Sequence, residues 1–504
     1  MSVCVRTRAQ VGIDAPQVLV EAHCQPGTPS FTLVGMAQTA VREARDRVRS
    51  AIRNVGLKYP QGRLVVNLAP ADLAKHGGRY DLAIAVAILA ATEQVNRGHV
   101  DRLEFLGELS LYGEVRGVRG AFCAASRLNG RDEGLVVPAS NLDELAPLTG
   151  VAVYPVSTLK EVVRLLQAPG LPEPGPQRCP PKPRTRPRQS LSDVRGQTKA
   201  KRALAVAAAG GHHLLMTGPP GTGKTMLAHR LAALLPRLSV DEAIEVANIY
   251  SVSTRNAPDF GSRPFRDPHH TASLAAIVGG GNPITPGEIT LAHGGVLFLD
   301  ELPEYQRNVL EALREPLEAG EVAVARVRQT VRFPARFQLV AAMNPCPAGY
   351  ICDETHCRCT PQQVRQYRSR ISGPLLDRID IRVEVGPVPE RDLWGEPPPA
   401  NEDAELRDMV AVARTRQMQR AGKVNAALAV REIEHHGKMA PAAAALLRRA
   451  AKRFRLSARA VHRLRKVSLT IADLADTDEI ASAHVAQALT YRALDEELAG
   501  RESG

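Results

Sequence analysis

The chain has 504 residues, with 65 Lys plus Arg against 53 Asp plus Glu and a net charge of +12. At roughly 100–200 residues per domain that length predicts about three domains, and 44% hydrophobic residues can build cores without disulfide or metal staples. The longest apolar run, Leu82–Ala91, has ten residues, against the roughly 20 of a membrane-spanning helix. The first residues lack the apolar segment of a signal peptide, and eight cysteines are too sparse for a secreted disulfide scaffold. A cytoplasmic protein with reduced thiols and no membrane association is therefore expected. The basic balance makes a polyanion a reasonable partner. Aromatics are only 4%, with Trp394 the single tryptophan, which disfavours a base-stacking platform.

In chain order, residues 1–168 read as an α/β domain. Arg63–Leu68 is a predicted strand, Tyr80–Glu93 an apolar helix, and Phe105–Arg116 strand-rich around a turn at Gly113. Leu135–Pro138 and Val151–Val156 are further short strands, with Ser157 or Thr158 capping a following helix. A linker spans 169–190. Its part from Leu171 to Ser190 holds seven prolines and five Lys/Arg, a composition that cannot bury enough apolar surface to fold. From 191 to 386, the short apolar strands His213–Thr217, Val296–Leu299 and Phe337–Met343 alternate with helices, which suits a parallel sheet buried on both faces. A Pro-rich connection, 387–402, precedes an Ala/Leu-rich helical domain at 403–504.

The stretch Gly218-Pro219-Pro220-Gly221-Thr222-Gly223-Lys224-Thr225 satisfies the phosphate-loop pattern, between the strand ending at Thr217 and a predicted helix Thr225–Leu235. Its glycines let backbone N–H groups curl toward phosphate oxygens at a helix N-terminus. Lys224 is placed for the β- and γ-phosphates of ATP and Thr225 for Mg²⁺. Asp300 and Glu301 follow the apolar strand Val296–Leu299, at the end where open α/β sheets bind ligands. Asp300 would hold Mg²⁺, and Glu301 would position or deprotonate the attacking water.

Asn344 follows the strand Phe337–Met343, where a polar group can orient water or sense the γ-phosphate; Asn before Pro is equally a turn signal. Arg378 is a candidate arginine finger, or an ion-pair partner of Asp377 or Asp380; Arg459 is a second candidate phosphate contact. Cys346, Cys352, Cys357 and Cys359 cluster within fourteen residues and could bind Zn²⁺, with His356 adjoining, although the spacing is not that of paired knuckles. His269 and His270 read as structural residues. Arg448–Lys466 holds nine Lys/Arg and no acid, either along a DNA path or facing water.

Several of these residues occur in an order that resembles the YifB/ComM family. They are Gly196-Gln197, the Ala209–Gly221 stretch, Phe265-Arg-Asp-Pro-His-His270, Pro286-Gly-Glu-Ile-Thr-Leu-Ala-His293, Asn344-Pro-Cys-Pro and Ser372-Gly-Pro-Leu-Leu-Asp-Arg378. That family comprises bacterial AAA+ ATPases related to the magnesium-chelatase ATPase subunit. The resemblance covers essentially the whole chain. It implies a Lon-protease-like N-terminal domain, an AAA+ core with a parallel sheet, and a helical C-terminal lid. It implies ATP and Mg²⁺ as cofactors, and a hexameric ring in which Arg378 acts on a neighbour and Arg459 is the lid's sensor arginine. It also implies remodelling of branched or junction DNA by a helicase during recombination or transformation.

Where the family places a pore hairpin, this chain has Glu321–Phe333. There Val322, Val324, Arg326 and Arg328 share a face at strand period, with Arg332 on the returning arm; these arginines would contact phosphates. The family's Cys-Pro-Cys-Gly is replaced here by Cys346-Pro-Ala348-Gly. The Lon-type proteolytic dyad is absent: Lys75–Asp81 contains no serine and Gly117–Cys123 no lysine, so no peptidase activity is expected. Three other readings stay open: a chelatase-like remodeller of a protein partner, an ATP-dependent protease, and a nucleotide-dependent DNA-binding scaffold.

Overall fold

The computed structural model describes residues 2–35, 43–128, 134–175, 191–326, 329–349, 359–394 and 402–492. Most of the linker and the positions Arg328, Cys352, His356 and Cys357 lie outside the described residues.

The N-terminal part is built on a seven-stranded mixed sheet. Its strands are β1 (Ser2–Arg8), β2 (Gln17–Gln25), β3 (Ser30–Val34), β4 (Arg63–Ala69), β5 (Leu103–Phe105), β6 (Gly134–Pro138) and β7 (Ala152–Val156), in the order β3-β4-β2-β1-β5-β6-β7. The β1–β2 and β2–β4 pairs are antiparallel; the others are parallel. The apolar helix expected near residue 82 is α1 (Asp81–Ala91), all of it buried against β1 and β2. The sequence expectations do not include the first three strands. Their signal is the alternation that buries Val3, Val5 and Thr7 on β1 and Val18, Val20 and Ala22 on β2.

The second sheet is five-stranded and wholly parallel. It comprises β8 (Leu214–Thr217), β9 (Phe265–Arg266), β10 (Val296–Leu299), β11 (Gln338–Met343) and β12 (Ile381–Glu384), in the order β9-β10-β11-β8-β12. Successive side chains on these strands enter different cores. Leu214, Met216, Phe298 and Val340 pack with Val410, Ala413, Leu464 and Val467 of the C-terminal helices. Leu215, Leu297, Leu339 and Ala341 pack on the other side, in a cluster that includes Ala15, Leu106, Phe122 and Val137 of the N-terminal part. The sheet is thus the middle layer of the molecule, and its continuous apolar strands follow from burial on both faces.

The two outer layers are also held by polar contacts. On the N-terminal side, Ser251, at the end of α2 (Val240–Ser251), accepts from Gly120 N through its carbonyl (2.8 Å) and from Phe122 N through Oγ (3.2 Å), and donates to Glu144 (3.1 Å). On the C-terminal side, α3 (Glu402–Ala421) and α4 (Ala458–Leu474) pack on the helix Thr198–Gly210 that leads into β8. Buried His212 bridges Asp380 (3.0 Å) and Thr470 (2.8 Å). Burial opposes the charge of Asp380, but His212, His213 and Arg463 outweigh it and hold the carboxyl down at about 2. A short helix, Glu390–Trp394, lies within the segment expected to be a Pro-rich connection.

Phe298, fully buried in the middle layer, tests this arrangement. Phe298→Ala is expected to destabilise the chain by about 3–5 kcal/mol, seen as a lower thermal midpoint of the module that contains the parallel sheet.

Candidate nucleotide-binding site

The phosphate loop joins β8 to the helix Lys224–Leu234. Gly221 and Gly223 take φ of +77° and +85°, values that let the backbone curl without a Cβ clash. A Cβ on Gly218 would stand 2.0 Å from the Val385 carbonyl, so the loop passes too close to the end of β12 for any other residue. The Lys224 ammonium donates to the carbonyls of Gly218 (2.7 Å) and Pro219 (2.8 Å) and to Asn344 Oδ1 (3.2 Å). All three of its donors are aimed at neutral oxygens, and burial lowers its pKa. Thr225 Oγ1 donates to Asp300 Oδ2 (2.7 Å), while Asp300 Oδ1 accepts from Glu301 N (2.9 Å).

Glu301 has φ +50°, a left-handed conformation uncommon for a residue with a side chain. It turns the chain sharply at the sheet's C-terminal edge, leaving its side chain half exposed beside His270, whose Nδ1 lies 3.2 Å from Glu301 Oε2. From the sequence His270 reads as structural; the fold sets it against a candidate catalytic carboxylate. Its segment is anchored by buried Glu288, which takes a bidentate bond from Arg266 (2.5 and 2.9 Å), and by Tyr305, whose hydroxyl donates to the Pro268 carbonyl. Asp267, in the same segment, is pushed up by burial and by nearby Asp300. These contacts link residues 22 or more positions apart, beyond what local spacing reveals.

Lys224, Thr225, Asp300, Glu301 and Asn344 therefore converge at one end of the sheet. Arg378 and Arg459 lie together elsewhere. Arg378 forms an ion pair with Glu318 and donates to the Pro374 carbonyl (2.7 Å), and Arg459 lies 3.7 Å from the other oxygen of Glu318. Neither Asp377 nor Asp380, the ion-pair partners given as the alternative to a finger role for Arg378, is the one used. Both arginines line a cleft of about 1620 Å³ between the parallel sheet's module and the C-terminal helices. Residues 218–225 are not among its walls.

Sequence comparison relates the chain to known proteins. The family model described as magnesium chelatase, subunit ChlI, matches residues 190–393; that for subunit ChlI of Mg-chelatase matches 20–141, and its C-terminal counterpart matches 400–492. The chain is 46% identical over 502 residues to the competence protein ComM of Haemophilus influenzae, with 97% of each chain covered. The chain belongs to the ComM/YifB family of magnesium-chelatase-like AAA+ ATPases. It is also 46% identical over 494 residues to the uncharacterized protein YifB of Escherichia coli, again with 97% of each covered. Identity to the magnesium-chelatase 38 kDa subunit of Rhodobacter capsulatus is 28% over 261 residues, 46% of this chain and 71% of that one.

In this ComM/YifB chain the hairpin Glu321–Arg326 / Gln329–Pro334 pairs Val324 with Val331 and Ala323 with Arg332. The register puts Val322 and Val324 on one face, buried at both positions, and Arg332 on the opposite face. Arg332 is exposed and ion-paired with Glu321. A Cβ on Gly12 would lie 2.5 Å from Val331, which pairs with Val324, so the N-terminal part rests on the middle of the hairpin. Cys346 is buried and Cys359 half-buried; no group of three or more His, Cys, Asp or Glu suited to a metal occurs among the described residues. Lys75 and Asp81, in the stretch lacking the dyad serine, are spent on structure: Lys75 donates to the Pro70 carbonyl and Asp81 binds Arg47.

Lys224→Ala is expected to abolish nucleotide binding, measured with a fluorescent ATP analogue. Glu301→Gln should retain binding and slow turnover by about 10²–10⁴-fold. Equal loss of binding in both variants would contradict the separate roles assigned to them.

Proposed function

We propose that this chain is an ATP-hydrolysing ring motor, a homo-hexamer, that remodels branched DNA as a helicase or branch-migration enzyme in recombination or natural transformation. The observation that carries the ring is the separation of its two sets of phosphate-directed groups. The lysine, the acids and Asn344 sit at one end of the sheet; Arg378 and Arg459 share Glu318 in a cleft that the phosphate loop does not line. A ring in which each chain offers its arginines to the next chain's nucleotide uses both sets.

Within one site, Lys224 binds the β- and γ-phosphates, Glu301 positions and deprotonates the attacking water, and Asn344 orients it. Thr225 and Asp300 present the paired oxygens of a hard-cation site. Mg²⁺ held there would offset charge on the phosphate oxygens. Arg378 and Arg459 neutralise charge developing on the transferred group, an effect worth about 10³–10⁵ in rate for such an arginine. The DNA substrate is supported by the name of the Haemophilus influenzae relative, a competence protein, and by the arginines Arg326, Arg328 and Arg332 of the hairpin, proposed here as backbone contacts. A second reading, remodelling of a protein partner, is favoured by the likeness to the magnesium-chelatase 38 kDa subunit.

The ring predicts complementation. Lys224→Ala keeps its arginines and Arg378→Ala keeps its phosphate loop, so each alone should be inactive while a mixture recovers part of the ATPase rate. Absence of recovery at concentrations where the chains assemble contradicts action in trans. For the substrate, a mobile four-way junction should raise the ATPase rate above that with linear duplex and should be migrated only when Glu301 is intact. An ATPase rate indifferent to junction, duplex and single strand would favour the protein-partner reading.

A further inference from the structure

The basic block Arg448–Lys466 is one run in the chain but two surfaces in the fold. Its second half is spent on contacts within the fold. Arg459 meets Glu318, Arg463 lies 3.5 Å from Asp380, Arg465 donates to the Ile433 carbonyl, and Lys466 donates to the Ala426 carbonyl. The first half does not. Arg448, Arg449, Lys452, Arg453 and Arg455 are all exposed, and none makes a side-chain hydrogen bond or ion pair among the described residues.

The helix Pro441–Arg453 explains the division. Ala443, Leu447 and Ala450 form its buried face, packed on the helix Ser482–Thr490. Arg448 with Lys452, and Arg449 with Arg453, are i,i+4 pairs on the remaining surface. A rise of 1.5 Å per residue sets each pair about 6 Å apart along the axis. Arg453 also lies over the Phe454 ring, 5.5 Å from its centroid, a contact that steadies the guanidinium without cancelling its charge. No acid occurs in the sequence between Glu434 and Asp473.

Local stability does not account for this concentration. Cations in the last turn suit the helix dipole, which covers Lys452 and Arg453, but like charges at i,i+4 oppose helix formation. Arg455 is the more telling position. The Leu456 N–H bonds back to the Ala451 carbonyl (3.0 Å), and Arg455 has φ +47°. This is the helix-ending geometry whose left-handed residue is usually glycine. Here an arginine holds that place at a conformational cost, and its side chain gains no partner within the described fold.

We propose that the outward face of the helix Pro441–Arg453, with the turn at Arg455, is a docking surface for the phosphate backbone of duplex DNA, apart from both the nucleotide site and the hairpin. It rests on the DNA reading given above. The surface offers five cations and no side-chain acceptor from its own helix, so it holds the backbone without reading sequence. Its part in a remodelling motor is to grip the duplex beside the ring while the hairpin engages the strand being moved.

The test uses the full chain and a fluorescently labelled linear duplex, with affinity measured between about 50 and 200 mM salt. The combined variant Arg448→Gln, Arg449→Gln, Lys452→Gln, Arg453→Gln keeps good helix formers and leaves the DNA-free ATPase rate unchanged. It should bind about tenfold or more weakly, with a salt slope shallower by about 0.9 for each phosphate no longer neutralised. Arg455→Gly should raise the thermal midpoint by relieving the left-handed residue while weakening duplex binding, a pairing that a purely structural role does not produce. Unchanged affinity and salt slope in both variants overturn the docking surface and leave the DNA reading standing. Failure of the wild-type chain to bind the duplex or a junction at the lowest salt overturns both.

Discussion

Leu215 and Met216 are neighbours in the chain, yet their side chains enter different hydrophobic cores. The same alternation runs along Val296–Leu299 and Gln338–Met343. Burial of the parallel sheet on both faces is the constraint on which the remaining architecture depends. The C-terminal helices seal one face and the N-terminal part seals the other. The strand ends are the open sites left to the sheet, and at one of them the phosphate loop, Asp300, Glu301 and Asn344 emerge. Any displacement of either outer layer is felt at a strand carrying part of the nucleotide site.

Two polar connections make that coupling directional. His212 stands two residues before β8 and holds Asp380, two residues beyond Arg378. The start of the phosphate-loop strand and the segment that carries Arg378 thus share one buried bond, continued through Thr470 and Asn425 to Asp473 and Arg420 on the C-terminal helices. Breaking one member leaves the others buried without partners, which costs more than the bond itself contributes. On the other face, Ser251 ties the N-terminal part to the sheet's module, and the loop around Gly12 rests on the hairpin.

The parts of the site that were legible in the sequence are those written in contiguous residues. Gly218–Thr225 between strand and helix, and Val296–Glu301, carry their meaning in local order, and the fold sets their side chains within hydrogen-bond distance. The strands β1 and β2 were equally written, as alternating Val3, Val5, Val18 and Val20, but the signal is short and broken by charged residues. What stayed hidden was non-local. Nothing near His270 announces Glu301, and nothing near Arg378 announces Glu318, 60 residues earlier. Apart from Arg459, the residues of the basic block Arg448–Lys466 are not told apart by composition, which carries no direction; the packing of Ala443, Leu447 and Ala450 shows which charges face outward.

Glu318 has a consequence of its own. Two guanidiniums share one carboxylate, so their charge is half offset before any phosphate arrives. A phosphate reaching Arg378 and Arg459 exchanges one anion for another, so its gain is a difference between two charge-assisted pairs rather than the full strength of either. The displaced carboxylate is then left without its partners in a cleft whose Arg336 and Arg463 already face Glu245 and Asp380. Occupancy of the arginines and the position of Glu318 are thus alternatives. The segment Pro316–Ala319 that carries this glutamate leads directly into the hairpin beginning at Glu321, so the carboxylate that holds both arginines stands three residues before the hairpin.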